Sequence, residues 1–100
     1  MQTYASFAQF YPFYLSEHAN PVSRRLHFTG TSIALLLVIA AFATQDWWLL
    51  GLALIQGYAF AWAGHFFFEH NKPATFRYPA FSLMGDWRLW WDILRRRIPL

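Results

Sequence analysis

Four histidines stand in the sequence, at positions 18, 27, 65 and 70, and Glu69 follows His65 by four positions. Neutral imidazoles and carboxylates are ligands for divalent transition metals. Two histidines with one carboxylate form the facial set of non-haem iron(II) oxygenases, which leaves positions open for oxygen and substrate. The chain has no cysteine, so disulfides, thiolate metal sites and cysteine nucleophiles are excluded together. Each candidate also has a plainer reading. A lone histidine at a membrane surface is more often an amphipathic, hydrogen-bonded side chain than a ligand, and Glu69 could be an exposed residue just past a helix end. Paired imidazoles from facing helices also ligate haem, so haem binding through His27 and His65 stays open. So does a non-catalytic element that binds lipid or a partner through small-residue faces.

For these groups to meet, the fold must bring distant positions together, and the composition says what kind of fold that is. Of the 100 residues, 57% are hydrophobic, 22% aromatic and 13% charged, against about 25% charged in soluble domains. A soluble unit this short leaves much of its surface wet and needs more polar cover. The pattern is that of one all-α integral membrane domain, residues 1–100. Its net charge of +3 does not imply nucleic acid, because the cations cluster beside apolar stretches rather than interleaving with aromatics.

Phe28 to Gln45 is an uncharged run of 18 residues, about 27 Å as a helix. Asn20-Pro21 supplies an N-cap followed by proline at the first helical position, so the helix is expected to start near Pro21. A second uncharged run covers the 22 residues from Trp47 to Phe68, after a short Gln45-Asp46 connection. These are two spans, about 27–45 and 47–68, joined as an antiparallel hairpin. The first run begins too late, and without a small-residue cleavage site, to read as a cleaved signal peptide. All eight Lys and Arg residues lie beyond the open end of the hairpin, and Asp46 is the only charge at the turn. The positive-inside rule therefore puts both termini in the cytoplasm, at the inner membrane if the source is bacterial.

Residues Thr3 to Glu17 are aromatic throughout but too short, and too broken by Pro12, to span. They suit an interfacial or re-entrant helix. Asp86 to Arg97 places Trp87, Trp90, Trp91 and Leu94 at helical spacing, with Arg88, Asp92, Arg95 and Arg96 opposite, which predicts an amphipathic interfacial helix. The stretch from Asn71 to Gly85 is expected to be an ordered loop or short helical turns.

In such a hairpin, the start of the first span and the end of the second share a depth, so His27 and His65 can face each other. Gly30 and Ala34 lie near the arc of His27, and Gly57, Ala61 and Gly64 near that of His65, so both histidines point toward protein. Glu69, one helical turn beyond His65, stacks on the same side. His18 joins them if the aromatic segment folds back.

Two motifs carry a family resemblance. One is H-x-N-P-x5-H, from His18 through Asn20-Pro21 to His27; the other is G-H-x3-E-x3-P-A, from Gly64-His65 through Glu69 to Pro73-Ala74. Tyr78-Pro79, Ser82-Leu83 and Gly85-Asp86 follow. The chain resembles the short, bacterial-type members of the small membrane family that includes the fungal 2-hydroxy fatty acid dioxygenase of phytosphingosine breakdown. The resemblance implies an iron(II)-dependent enzyme that uses oxygen to shorten a 2-hydroxy fatty acid by one carbon, in alpha-oxidation. Its matching positions are His18, His27, His65 and Glu69, and it carries no ligand role to His70. For such a substrate, Arg24, Arg25 or Arg77 is a candidate partner of the carboxylate. The acyl tail would lie among Phe66, Phe67, Phe68 and the aromatic N-terminal segment, with membrane lipids around it. Two spans with aromatic ends bury little alone, so a homo-oligomer is compatible with the sequence.

Overall fold

The computed structural model describes residues 3–72 and 76–100; Pro73 and Ala74 of the second motif lie outside them. Helices make up the regular structure of the described residues, and no strand occurs among them. The first helix, α1, runs Phe7–Ser16. Ser6 Oγ accepts from Gln9 N at 3.3 Å while Gln9 Oε1 accepts from Ala5 N at 3.1 Å, a reciprocal cap of the Ser-x-x-Gln kind. Pro12 removes one helical hydrogen bond without ending the helix.

Helix α2 spans Pro21–Thr44. Its start is the expected one, with Asn20 Oδ1 accepting from Val22 N at 2.8 Å and Ser23 N at 3.4 Å and Pro21 in the first turn. Helix α3, Trp48–Ala63, continues without a break into a π-helical segment, Gly64–Glu69. The stretches Pro21–Thr44 and Trp48–Glu69 are both long and apolar enough to cross a membrane.

These two stretches pack with early residues of one against late residues of the other. A Cβ added at Gly64 would meet Ser23 Oγ at 2.8 Å, and one at Gly30 would meet the Phe60 Cβ at 2.9 Å. Gln56 Nε2 donates to the Gly30 carbonyl at 2.9 Å and stitches the middle of the pair. Gly30 and Gly64 are therefore the small residues that permit close approach, as expected of contacting membrane helices.

The last helix, α4, runs Pro79–Leu94, seven residues longer at its start than the stretch expected from Asp86. Pro79 occupies the first turn, where its missing N–H costs nothing. This helix does not present a simple apolar and polar face. Trp87, Trp91 and Leu94 are exposed, while Ser82, Gly85, Leu89, Asp92 and Ile93 form the buried stripe. Its partner is α1: Phe10 and Tyr14 are buried against Leu89 and Ile93, ringed by Tyr4, Phe7, Phe13, Tyr78 and Phe81. The N-terminal aromatics thus build a packed lobe with α4. Trp90 Nε1 donates to Ser32 Oγ at 2.9 Å and fastens that lobe to α2.

Asp92, expected on the polar side of its helix, is 4% exposed. Tyr11 Oη donates to it at 2.7 Å, Arg95 Nη2 at 2.7 Å and Arg88 Nε at 3.1 Å. Burial pushes the Asp92 carboxyl up, and the hydrogen bonds from Tyr11, Arg95 and Arg88 outweigh that push and hold it below the usual carboxylate range. A carboxyl held lower in the folded chain adds stability above its unfolded pKa, about 3.9, and the contribution is lost as pH falls through the folded value. Asp92→Asn is expected to cost about 1–3 kcal/mol near neutral pH. Thermal melts in detergent should show the wild type losing its advantage over the variant below about pH 4; equal melting at neutral pH would refute this.

Candidate metal centre and adjoining groove

The three elements that meet at the open end of the helix pair each deliver one histidine. His18 follows the end of α1, His27 lies two turns into α2, and His65 sits in the π-helical segment; all three are buried. One ring nitrogen from each lies within 4.8 Å of the others. The ring centroids are 4.4 Å apart for His18 and His27, 4.6 Å for His18 and His65, and 5.6 Å for His27 and His65. Imidazoles at such separations fit one small ion between them.

The protons are placed by what the outer nitrogens touch. His18 Nδ1 lies 2.7 Å from the Tyr14 carbonyl, which can only accept, so Nδ1 carries the hydrogen and Nε2 the lone pair. His27 Nε2 donates to Asp86 Oδ1 at 2.9 Å, which leaves the lone pair on Nδ1. His65 Nδ1 donates to Asn71 Oδ1 at 2.7 Å, and the amide is oriented by Asn71 Nδ2 donating to the Glu17 carbonyl at 3.2 Å. Metal-binding histidines characteristically donate their second nitrogen to a carbonyl, amide or carboxylate, which fixes tautomer and ring direction. His18 Nε2 and His27 Nδ1 are both buried without a hydrogen-bond partner. Orphaned buried acceptors are costly, and a cation would satisfy them. Burial, and after it the neighbouring His27 and His65, holds His18 well below its usual range, so its ring is neutral at pH 7.

Asp86 is the residue that sequence reasoning placed without giving it chemistry. Its Oδ1 also accepts from Tyr14 Oη at 2.6 Å, and the Tyr14 ring stacks on His18 with centroids 4.1 Å apart. Burial and then Asp86 raise the Tyr14 hydroxyl, which keeps it a donor. Gly85 makes the approach possible, because a Cβ there would lie 2.7 Å from the Tyr14 ring. Asn71 was missed as well. It falls at an unspecified position of the second motif, whereas Gly85-Asp86 was visible as a matching pair.

Glu69 does not converge with the histidines. Its Oε1 accepts from Asn20 N at 2.6 Å, and Asn20 Nδ2 donates to the Phe68 carbonyl at 3.4 Å. The carboxylate therefore caps the start of α2, where the helix dipole favours negative charge. Arg24 is also engaged structurally, donating to the carbonyls of Ala19 at 2.7 Å, Pro99 at 3.1 Å and His18 at 3.2 Å. Arg25 and Arg77 are exposed, the latter over the Tyr78 ring at 5.3 Å. His70 is exposed and closes the π-helical segment with a left-handed φ of 57°.

A groove of about 290 Å³ leads away from the site between α2 and α3. His27, Asp86 and Tyr58 stand at one end, Val38, Leu50 and Leu54 at the other. A void of about 10 Å³ beside His27, His65 and Asp86 adjoins it. Phe66, Phe67 and Phe68, expected to hold an acyl tail, instead point outward and are 46%, 73% and 41% exposed.

Cobalt(II) titration read by visible absorption tests the centre. The wild type should bind one equivalent, and His18→Ala, His27→Ala and His65→Ala should each abolish the signal. Asp86→Asn should weaken binding by about 10–100-fold with helix content retained. Glu69→Gln should leave affinity unchanged; a loss as large as that of a histidine variant would make Glu69 a ligand and overturn this assignment.

No curated protein and no solved structure matches the chain. A family model does, over residues 4–98, which takes in all three histidines, Asp86 and the groove. The chain belongs to the Mpo1-like family, described as 2-hydroxy-palmitic acid dioxygenase Mpo1-like.

Proposed function

We propose that this protein is an iron(II)-dependent dioxygenase, embedded in the membrane, that shortens 2-hydroxy fatty acids by one carbon. Three buried histidines with their outer nitrogens hydrogen-bonded and their inner nitrogens turned together are the observation that carries this reading. The dioxygenase description of the family supplies the class of reaction. His18, His27 and His65 would hold the iron. When bound, it would supply the Lewis acidity and the redox chemistry with oxygen that side chains lack.

The chain's own residues do the rest. Asp86, Asn71 and the Tyr14 carbonyl accept from the outer nitrogens and aim the three imidazoles inward. Asp86, at the polar mouth of the groove, is placed to accept a hydrogen bond from a substrate hydroxyl. Tyr14, stacked on His18, closes one side of the site against water. The carboxylate of the substrate would lie at the histidine end of the groove without an arginine partner, since Arg24, Arg25 and Arg77 are not among the groove residues.

Both spans cross the membrane in this reading. The Asp46 turn lies on the far side and the cation-rich ends in the cytoplasm. The α1 and α4 lobe sits at that cytoplasmic surface with Trp87 and Trp91 toward the headgroups. The close packing of the three rings favours an ion over haem, because His18 stands within 4.6 Å of both other rings and fills the space a macrocycle needs.

Iron-loaded protein given a long-chain 2-hydroxy acid should consume oxygen and yield the acid one carbon shorter. His27→Ala and His65→Ala should abolish both. No uptake across chain lengths with iron confirmed at stoichiometry would sink the reading, and a Soret band in purified protein would replace it with haem binding.

A further inference from the structure

The groove is built from one stripe on each long helix, with Leu83, Asp86 and Trp87 of α4 completing its lining. On α3 the stripe is Leu50, Ala53, Leu54, Gly57, Tyr58 and Ala61, the i, i+3, i+4, i+7, i+8, i+11 pattern of a single face. On α2 it is His27, Thr31, Ala34 and Val38, on the same rule. From His27 to Val38 the groove follows about 16 Å of helix at about 1.5 Å per residue. Polarity is confined to the end shared with the histidine site, where Thr31, Tyr58 and Asp86 stand; the remaining lining is apolar.

Gly57 is at the centre of the α3 stripe. A Cβ built there meets nothing within 4 Å, unlike one at Gly30 or Gly64, where a neighbour is already in the way. Its backbone oxygen lies against Gly30, but its missing side chain faces space. A glycine that no packing contact requires, in the middle of a groove, points to something else passing over it.

We propose that the groove holds the acyl chain of the substrate as a single extended strand, and that Gly57 is the position over which the chain must pass, so that it sets the longest acid accepted. This rests on the dioxygenase reading for the headgroup chemistry. The occupant is one unbranched chain rather than a two-chain lipid, because about 290 Å³ is at the lower limit of small-ligand sites and polar groups stand only at the histidine end.

The test uses the full-length protein in lipid nanodiscs with 2-hydroxy fatty acids of graded length that carry a diazirine on the terminal carbon. Photolabelled residues are identified by mass spectrometry, with and without iron. Long probes should label Val38, Leu50 or Leu54, and Gly57→Leu should cut long-probe labelling there about tenfold or more while sparing short probes. Gly51→Leu is the control: that glycine is equally open but outside the groove, so labelling should not change. Labels scattered over lipid-facing Ile39 and Ile55, or a Gly57→Leu variant that labels like wild type, would overturn the proposal. Groove labelling without oxygen uptake would uphold the acyl site and remove the dioxygenase reading, which keeps the two failures apart.

Discussion

The Asp86 carboxylate oxygen that accepts from both His27 Nε2 and Tyr14 Oη joins α4, α2 and α1 at one point. Without it, His27 has no fixed tautomer, Tyr14 has no partner for a hydroxyl buried against α4, and the ring stacked on His18 loses its anchor. Local sequence supplies none of this. The oxygen lies 59 positions from His27 and 72 from Tyr14, so the contact exists only once the lobe has docked on the helix pair. Gly85 beside it is the steric counterpart, giving up its side chain so that Tyr14 can approach. The site is therefore a product of tertiary docking, and the lobe is part of the centre rather than an accessory to it.

Much of the frame was legible beforehand, because it follows from rules of short range or of one dimension. Asn20-Pro21 marked the start of α2 through capping chemistry that needs only neighbouring residues. Charge-free length marked two helices long and apolar enough to cross a membrane, and their antiparallel pairing implies that His27 and His65 meet. Helical spacing puts Glu69 near His65, but spacing says nothing about competing partners, and one of its oxygens accepts from the backbone N–H of Asn20 at the start of α2. The α1 segment was read as interfacial because it is aromatic throughout but too short, and too broken by Pro12, to span. In the structure Phe10 and Tyr14 are buried against Leu89 and Ile93 of α4, while Ala8, Gln9, Pro12 and Ser16 make the exposed face.

Asp92 shows the same limit from the other side. An aspartate among arginines and tryptophans reads as a solvated charge on an amphipathic helix, yet here Tyr11 and two arginines enclose it. Both arginine side chains stay partly in water, so the enclosure neutralises the carboxylate without burying a second ion, which would carry its own desolvation penalty. The contact ties the far end of α4 to α1, as Asp86 ties its near end, and between these two carboxylates lie Leu89 and the apolar core of the lobe.

Small residues in membrane helices serve two opposite ends, and this chain separates them by position. Gly30 and Gly64 are filled by their neighbours, and a methyl group at either would push the helices apart. Gly57, Ala34, Ala53 and Ala61 face the groove, where their smallness opens space instead of closing it. The close contacts fall on one flank of the pair and near its histidine end, so the helices are held in register there while the other flank stays open. A helix pair packed evenly along both flanks would bury more surface but leave the histidines sealed. The uneven packing keeps an apolar route along the two long helices to a polar centre, and the lobe that supplies Asp86 and His18 closes that centre at the other end.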